Sequence, residues 1–259
     1  MVLKALIFDV DGTLAETEEA HRTAFNAAFK EAGLDWFWDY ALYANLLKTT
    51  GGKERIRHFV KQYRTSASGD DLDALIGMLH RRKTAIYTQL VSSGQIDLRP
   101  GIRELIEAAR SDGIRLAIAT TTSMPNVEAL LLATLGAGGV EAFEIIGAGD
   151  DVPQKKPAPD IYLSVLAQLA LPASACLALE DSNNGLRSAL AAQIPVLITT
   201  SAYSCDEDFA DARIVVAQLT DLIPMGLILK SGTPDAPKVD GGELLQAVRN
   251  LHADSYQRP

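Results

Sequence analysis

Leu3-Lys-Ala-Leu-Ile-Phe8 runs directly into Asp9-Val-Asp-Gly-Thr-Leu14, and this stretch decides the fold. A short apolar run rich in strand formers reads as a buried strand. Acidic residues and a glycine at its end read as a turn at the strand's carboxyl edge. In open α/β sheets ligands bind beyond that edge, so Asp9 and Asp11 stand where chemistry is expected. A carboxylate at such a point can attack phosphorus, and a second carboxyl two residues on can exchange protons with leaving group and water. Taken alone, the motif is also compatible with a plain turn or a fragment of a calcium loop.

Working outward, Thr17–Gly33 reads as a helix, with Ala20, Ala24, Ala28 and Ala32 recurring every four residues. Helical patterns without a convincing strand continue to about Gly94. From Leu98 onward the pattern changes. Arg99-Pro100-Gly101 makes a turn, and segments 102–109, 127–135, 158–169 and 184–192 read as helices. Segments 114–119, 143–146, 175–179 and 196–199 read as strands. Strands alternating with helices imply a doubly wound parallel sheet. The expected division is an α/β core of residues 1–14 and 97–230, an inserted all-α cap of residues 15–96, and a tail of residues 231–259. In that tail 231–242 reads as a linker, and Leu244, Leu245, Val248 and Leu251 form one face of a short helix that docks on the core or on a partner. Trp36, Phe37 and Trp38 are expected in the cap's core.

The strand ends repeat the acidic theme. Thr120 follows Ile114–Ala119, and Lys156 lies just before a helix, where it can neutralise charge on a carboxylate and a transferring phosphoryl group. Glu180 and Asp181 end the strand Ala175–Leu179, and hard carboxylate oxygens there suit Mg²⁺. Within the helical block, Thr49-Thr-Gly-Gly-Lys-Glu-Arg55 places hydroxyls and cations around two glycines at a helix start. That is an anion site, or an interhelical turn with solvated charges.

The chain has 259 residues and a formal net charge of −9, which leaves no electrostatic footprint for nucleic acid. No apolar run approaches the ~20 residues of a membrane span, and no signal peptide is legible, so a cytoplasmic location is expected. Cys176 and Cys205 show no metal-like spacing and read as inert thiols. His58, His80 and His252 read as surface residues. The oligomeric state is not legible, a monomer being compatible with the chain.

These motifs resemble the haloacid dehalogenase superfamily of phosphotransferases: DVDGT at Asp9–Thr13, then Thr120, Lys156 and Glu180-Asp181, over residues 3 to about 200. The resemblance implies that Asp9 is nucleophile and metal ligand and that Asp11 is general acid/base with its backbone carbonyl on Mg²⁺. It further implies that Thr120, Thr121 and Lys156 hold the phosphoryl group and that Glu180 and Asp181 complete the Mg²⁺ site. FDVDGTLAETEE, DWFWD, TTGGKERI, IATTTSMPNVEAL and ALEDSNNGL are similar to the CbbY-type phosphatases, which act on xylulose 1,5-bisphosphate. That similarity implies a small sugar bisphosphate losing its 1-phosphate. The second phosphate would be held by Thr49, Thr50, Gly51, Gly52, Lys53 and Arg55, with Glu16, His21 and Lys83 as further substrate contacts. A β-phosphoglucomutase-type mutase and a phosphatase of another small ester such as phosphoglycolate share the motifs and stay open.

Overall fold

The computed structural model of the chain describes residues 2–63, 70–223, 229–230 and 237–254. The first strand, β1 (Ala5–Phe8), is followed by four helices, α1 (Glu18–Glu31), α2 (Tyr40–Leu46), α3 (Gly52–Tyr63) and α4 (Asp70–Ser92). Then α5 (Ile102–Ser111), β2 (Arg115–Ala119), α6 (Met124–Leu135), β3 (Ile145–Gly147), α7 (Asp160–Leu169), β4 (Cys176–Glu180), α8 (Asn183–Ala191), β5 (Val196–Thr199) and β6 (Ile214–Val216) alternate. A small antiparallel pair, β7 (Leu229–Lys230) with β8 (Pro237–Lys238), precedes α9 (Gly241–Asp254).

The main sheet runs β3-β2-β1-β4-β5-β6, and every pairing in it is parallel. The chain steps outward from β1 to β3 and then returns to the other side of β1 with β4. The crevice between β1 and β4 is therefore the switch point at which ligands bind in such sheets.

Period-two alternation sorts the strands into two faces. Leu6, Phe8, Leu116, Ile118, Leu177, Leu179 and Leu197 belong to one buried cluster, which also takes in α5, α6 and α9 through Leu105, Leu130 and Leu244. Ala5, Ile7, Ala117, Ala119, Ala178, Val196 and Ile198 face the other way, onto Ile161, Tyr162 and Val165 of α7 and Leu186 and Ala189 of α8. Alanines on this second face let α7 approach closely, which matters for the site.

The helical block has an aromatic cluster of its own. Trp38 lies within 4.6–5.9 Å, centroid to centroid, of Phe25, Phe29, Tyr43 and Phe59. Asn26 fixes its backbone through Trp38 N–H to Oδ1 at 2.8 Å and Nδ2 to the Trp38 carbonyl at 2.9 Å. Phe37 departs from expectation. Alternation between two inward-facing tryptophans turns it outward, and it is 65% exposed.

The tail also differs from the linker reading. Pro237–Lys238 forms a strand pair, and the helix already begins at Gly241; residues 231–236 of that reading lie outside the described residues. Leu244, Leu245 and Val248 are buried against the core in cis, and an added Cβ at Gly241 would lie 2.6 Å from the Glu104 carbonyl. His252, expected on the surface, is 1% exposed because α9 turns it to the Ser174 carbonyl at 3.1 Å.

Candidate active site

Register builds the floor of the site. Phe8 pairs with Leu179, and the Asp9 N–H donates to the Leu179 carbonyl at 2.9 Å, so Asp9 emerges beside Glu180. Lys156 enters from the segment before α7 and places its Nζ 2.6 Å from Asp9 Oδ1 and 2.6 Å from Glu180 Oε1. The Tyr162 hydroxyl, brought close by the alanine face, donates to the same Glu180 oxygen at 2.6 Å. Asp181 follows at once; an added Cβ at Gly12 would lie 2.1 Å from its Oδ2, and one at Gly185 would lie 1.9 Å from Glu180 Oε2. Glycine at both positions is thus dictated by the carboxylates.

Asp9, Glu180 and Asp181 are buried and present oxygens within 4.8 Å of one another. Burial pushes the Asp9 carboxyl up to about 8; the Lys156 ammonium pulls it down, while Glu180 and Asp11 add to the rise. Asp181 is likewise raised well above the usual carboxylate range, by burial first and then by Asp9 and Glu180. Burial works against the Lys156 charge, but its two carboxylate partners hold the ammonium above its ordinary range. Glu180 Oε2 has no hydrogen-bond partner among the described residues. One lysine among three buried carboxylates leaves a deficit of positive charge, and the donors are all hard oxygens. The residues therefore fit a divalent cation.

Asp11 has different surroundings. Burial would raise it, but the His21 ring and the Thr17 hydroxyl hold it below the usual range. His21 Nε2 lies 2.8 Å and Thr17 Oγ1 2.5 Å from Asp11 Oδ1. Lys83 Nζ lies 2.5 Å from His21 Nδ1, and the ring stacks on Tyr87 at 4.0 Å. While its ammonium is charged, Lys83 can only donate, so Nδ1 accepts and Nε2–H donates to Asp11: in that state the three form a buried ammonium–imidazole–carboxylate chain. Burial lowers Lys83 to about 7 and, together with the Lys83 charge, lowers His21. The Asp11 carboxylate thus faces Thr17 and His21, and it is not one of the three clustered carboxylates.

The helical block forms the opposite wall of the cleft. Gly51, with φ of 89°, lets the backbone turn into α3. Arg55, 9% exposed, is fixed by Nη1 to the Tyr43 hydroxyl at 3.0 Å and Nε to the Thr49 carbonyl at 3.3 Å. The Tyr43 hydroxyl in turn donates to Glu18 at 2.6 Å. Thr50 donates to the Lys156 carbonyl across the cleft, Lys53 faces Asp150 at 3.6 Å, and Asn184 reaches the Lys48 carbonyl at 3.4 Å. Tyr203, from the loop after β5, stacks on Tyr40 at 4.6 Å and donates to Glu19.

Asp9, Asp11, His21, Thr50, Gly51, Gly52, Lys53, Arg55, Lys83, Thr120, Thr121, Lys156 and Asp181 all line this one cleft. Glu180 lies beneath it, fully buried. Glu16 and Thr49 do not line it. Glu16 points to the connection that returns from the helical block, 3.6 Å from Arg99 Nε, and Glu18 two residues on faces the cleft instead. Thr49 contributes its carbonyl to Arg55. His80, expected on the surface, lines the cleft, because a Cβ on Gly52 would sit 2.7 Å from its ring; burial and the nearby lysines lower it to about 4. Asn126, 2% exposed, also lines the cleft, and its Oδ1 has no partner among the described residues. Its place in the first turn of a helix after a strand end is the signal that would have found it.

The profile of the haloacid dehalogenase-like hydrolases matches residues 3–193. The protein CbbY of Rhodobacter capsulatus is 53% identical over 228 residues, covering 86% of this chain and 99% of that one. A crystal structure of CbbY from Rhodobacter sphaeroides with phosphate superposes with a TM-score of 0.81 at 46% identity, over 87% of this chain and 98% of that one. Another, of a CbbY variant bound to xylulose 1,5-bisphosphate, matches equally, with a TM-score of 0.81. A β-phosphoglucomutase from Clostridium difficile shares the fold at 17% identity and a TM-score of 0.74, over 99% of this chain and 100% of that one. Lysine between paired carboxylates at the β1/β4 switch point, a profile spanning most of the chain, and half identity to CbbY proteins over nearly their whole length agree: the chain belongs to the haloacid dehalogenase-like hydrolases, as a phosphatase of the CbbY type.

Proposed function

We propose that the chain is a Mg²⁺-dependent sugar-bisphosphate phosphatase that removes the 1-phosphate of xylulose 1,5-bisphosphate through a phospho-Asp9 intermediate. One observation carries the reading. The reacting group Asp9, with Lys156, lies on one wall of a cleft whose other wall holds Arg55 and the start of α3. The xylulose 1,5-bisphosphate bound by the related CbbY has phosphates at both ends, as such a cleft requires.

In this reading the free oxygen of Asp9 attacks phosphorus, the ester P–O bond breaks, and Asp11 gives its proton to the leaving oxygen. In the free protein Asp11 is held ionised by His21. Entry of a dianionic phosphoryl group beside it works against that and raises its affinity for a proton. Asp11 then takes a proton from the water that hydrolyses the acyl phosphate. Lys156 neutralises Asp9 and the transferring group, and Thr120 and Thr121 orient the phosphoryl oxygens. Asp9, Glu180 and Asp181, with the Asp11 carbonyl, would hold Mg²⁺. When bound, it supplies charge neutralisation between carboxylate and phosphoryl oxygen. Residues 15–96 act as a cap, and Thr50, Gly51, Gly52, Lys53 and Arg55 hold the second phosphate while His21 and Lys83 face the sugar.

The test is phosphate release from xylulose 1,5-bisphosphate, with and without chelator, beside β-glucose 1-phosphate. Mg²⁺-dependent release from the first and no isomerised hexose phosphate from the second supports the reading. Isomerisation of the second without release from the first would establish a mutase instead.

A further inference from the structure

Arg99 has no part in the chemistry above, yet its guanidinium donates to four backbone carbonyls outside the cleft. It sits on the returning cap–core connection, and its side chain is 9% exposed. Nη1 donates to the carbonyls of Gly12 and, at 2.9 Å, Thr199; Nη2 donates to the carbonyls of Thr200 at 2.7 Å and Ala217 at 2.6 Å. Its own N–H donates to the Leu14 carbonyl at 2.8 Å, and its neighbour Leu98 bridges Ala15. One planar fork therefore joins the turn after β1 to the ends of β5 and β6, while the Arg99 backbone and Leu98 pair the two connections to the helical block.

What lies between the joined segments is the site. An added Cβ at Gly12 would lie 2.1 Å from Asp181 Oδ2 and 3.1 Å from the Ser201 Cβ, and Ser201, whose hydroxyl pairs with that of Ser204 at 2.9 Å, lies close enough to Asp181 to oppose the rise in its proton affinity. Asp181 is thus held between the Gly12 turn and Ser201, while the guanidinium ties the backs of those two segments together through Gly12 on one side and Thr199 and Thr200 on the other. Gly12 is the residue after Asp11.

We infer that Arg99 is a positioning residue that clamps the turn carrying Asp9 and Asp11 to the β5 end carrying Ser201, with Asp181 set between them. It acts on the core wall and not on the cap wall, so its loss weakens turnover of every phosphate ester alike. A lysine keeps the charge but lacks the planar fork that spans several carbonyls. Misplacement by a fraction of an ångström at a reacting group lowers turnover by about tenfold or more.

The inference rests on Asp9 as nucleophile, and the experiment separates the two. Full-length wild type, Arg99→Lys, Arg99→Ala and Asp9→Asn are assayed with Mg²⁺ on p-nitrophenyl phosphate and on xylulose 1,5-bisphosphate, well below their melting temperatures. For Arg99→Lys, kcat is expected to fall by about tenfold on both substrates by the same factor, with KM unchanged within about twofold. Millimolar guanidinium is expected to restore kcat of Arg99→Ala; should that variant not fold, Arg99→Lys and Arg99→Gln carry the test. Wild-type kcat in Arg99→Lys, a loss confined to the bisphosphate, or a loss in KM alone overturns the assignment. Full activity in Asp9→Asn overturns the nucleophile reading instead.

Discussion

Asp9→Asn is expected to abolish turnover and to make the metal-free protein more stable at neutral pH. Asp9 is buried, and its carboxyl is raised from 3.8 to about 8, chiefly by burial. The folded state therefore holds a proton that the unfolded chain gives up. The resulting penalty is absent below about pH 4, grows by about 1.4 kcal/mol per pH unit, and is constant above about pH 8. At pH 7 it amounts to about 4 kcal/mol. Asparagine removes it and still offers Oδ1 to the Lys156 ammonium, but without a carboxylate's charge, which weakens that bond by up to about 2 kcal/mol. The balance of about 2 kcal/mol raises the melting temperature by roughly 4–8 °C in a chain of this size. At about pH 5 the penalty has shrunk to the value of that weakening, so the two melting curves meet there. Thermal unfolding of both proteins in chelator from pH 5 to 8 measures this directly. A variant that melts at or below wild type at pH 7, with a difference that does not change with pH, would refute the reasoning.

The other predictions follow from the same geometry. Lys156→Met leaves Asp9 and Glu180 without their ammonium partner, and kcat is expected to fall by at least about 10²-fold, read as phosphate release. Arg55→Ala removes the cation of the opposite wall; KM for a sugar bisphosphate is expected to rise by about 30-fold, worth a charged hydrogen bond of roughly 2 kcal/mol, while KM for p-nitrophenyl phosphate stays put. Lys83, lowered to about 7 by burial, loses its proton as pH rises through that value and no longer presents a positive charge beside His21 and the cleft. The pH profile of kcat/KM for the bisphosphate is therefore expected to fall above about pH 7, and Lys83→Arg to move that limb upward.

Residues at strand ends were legible because acidic, hydroxyl and cationic residues recur at the carboxyl edges of successive parallel strands, which all open on one crevice. Asp9, Thr120 and Glu180 are each ambiguous alone, and their recurrence at successive strand ends is what made them legible. Contacts set by helix phase were harder. Glu16, Glu18 and Glu19 look alike in sequence, and only the start of α1 decides that Glu18 faces the cleft while Glu16 turns to Arg99. His80 was hidden for the same reason, since its neighbour is a glycine of another helix. The strand β6 spans only Ile214–Val216, too short for periodicity to register. Least legible was the Arg99 clamp, because its acceptors are backbone carbonyls, which no side-chain pattern encodes.

Gly185 shows where the sequence cost of the Glu180 carboxylate falls. It lies inside α8, where glycine is a poor helix former by about 1 kcal/mol relative to alanine. Its backbone is ordinary, and the reason for glycine is the carboxylate oxygen 1.9 Å from where a methyl would stand. The buried acid thus exports its constraint to a residue with no functional group, five positions along the chain. In a library randomised at position 185 and selected for phosphatase activity, glycine alone is expected to survive, although alanine would form the better helix.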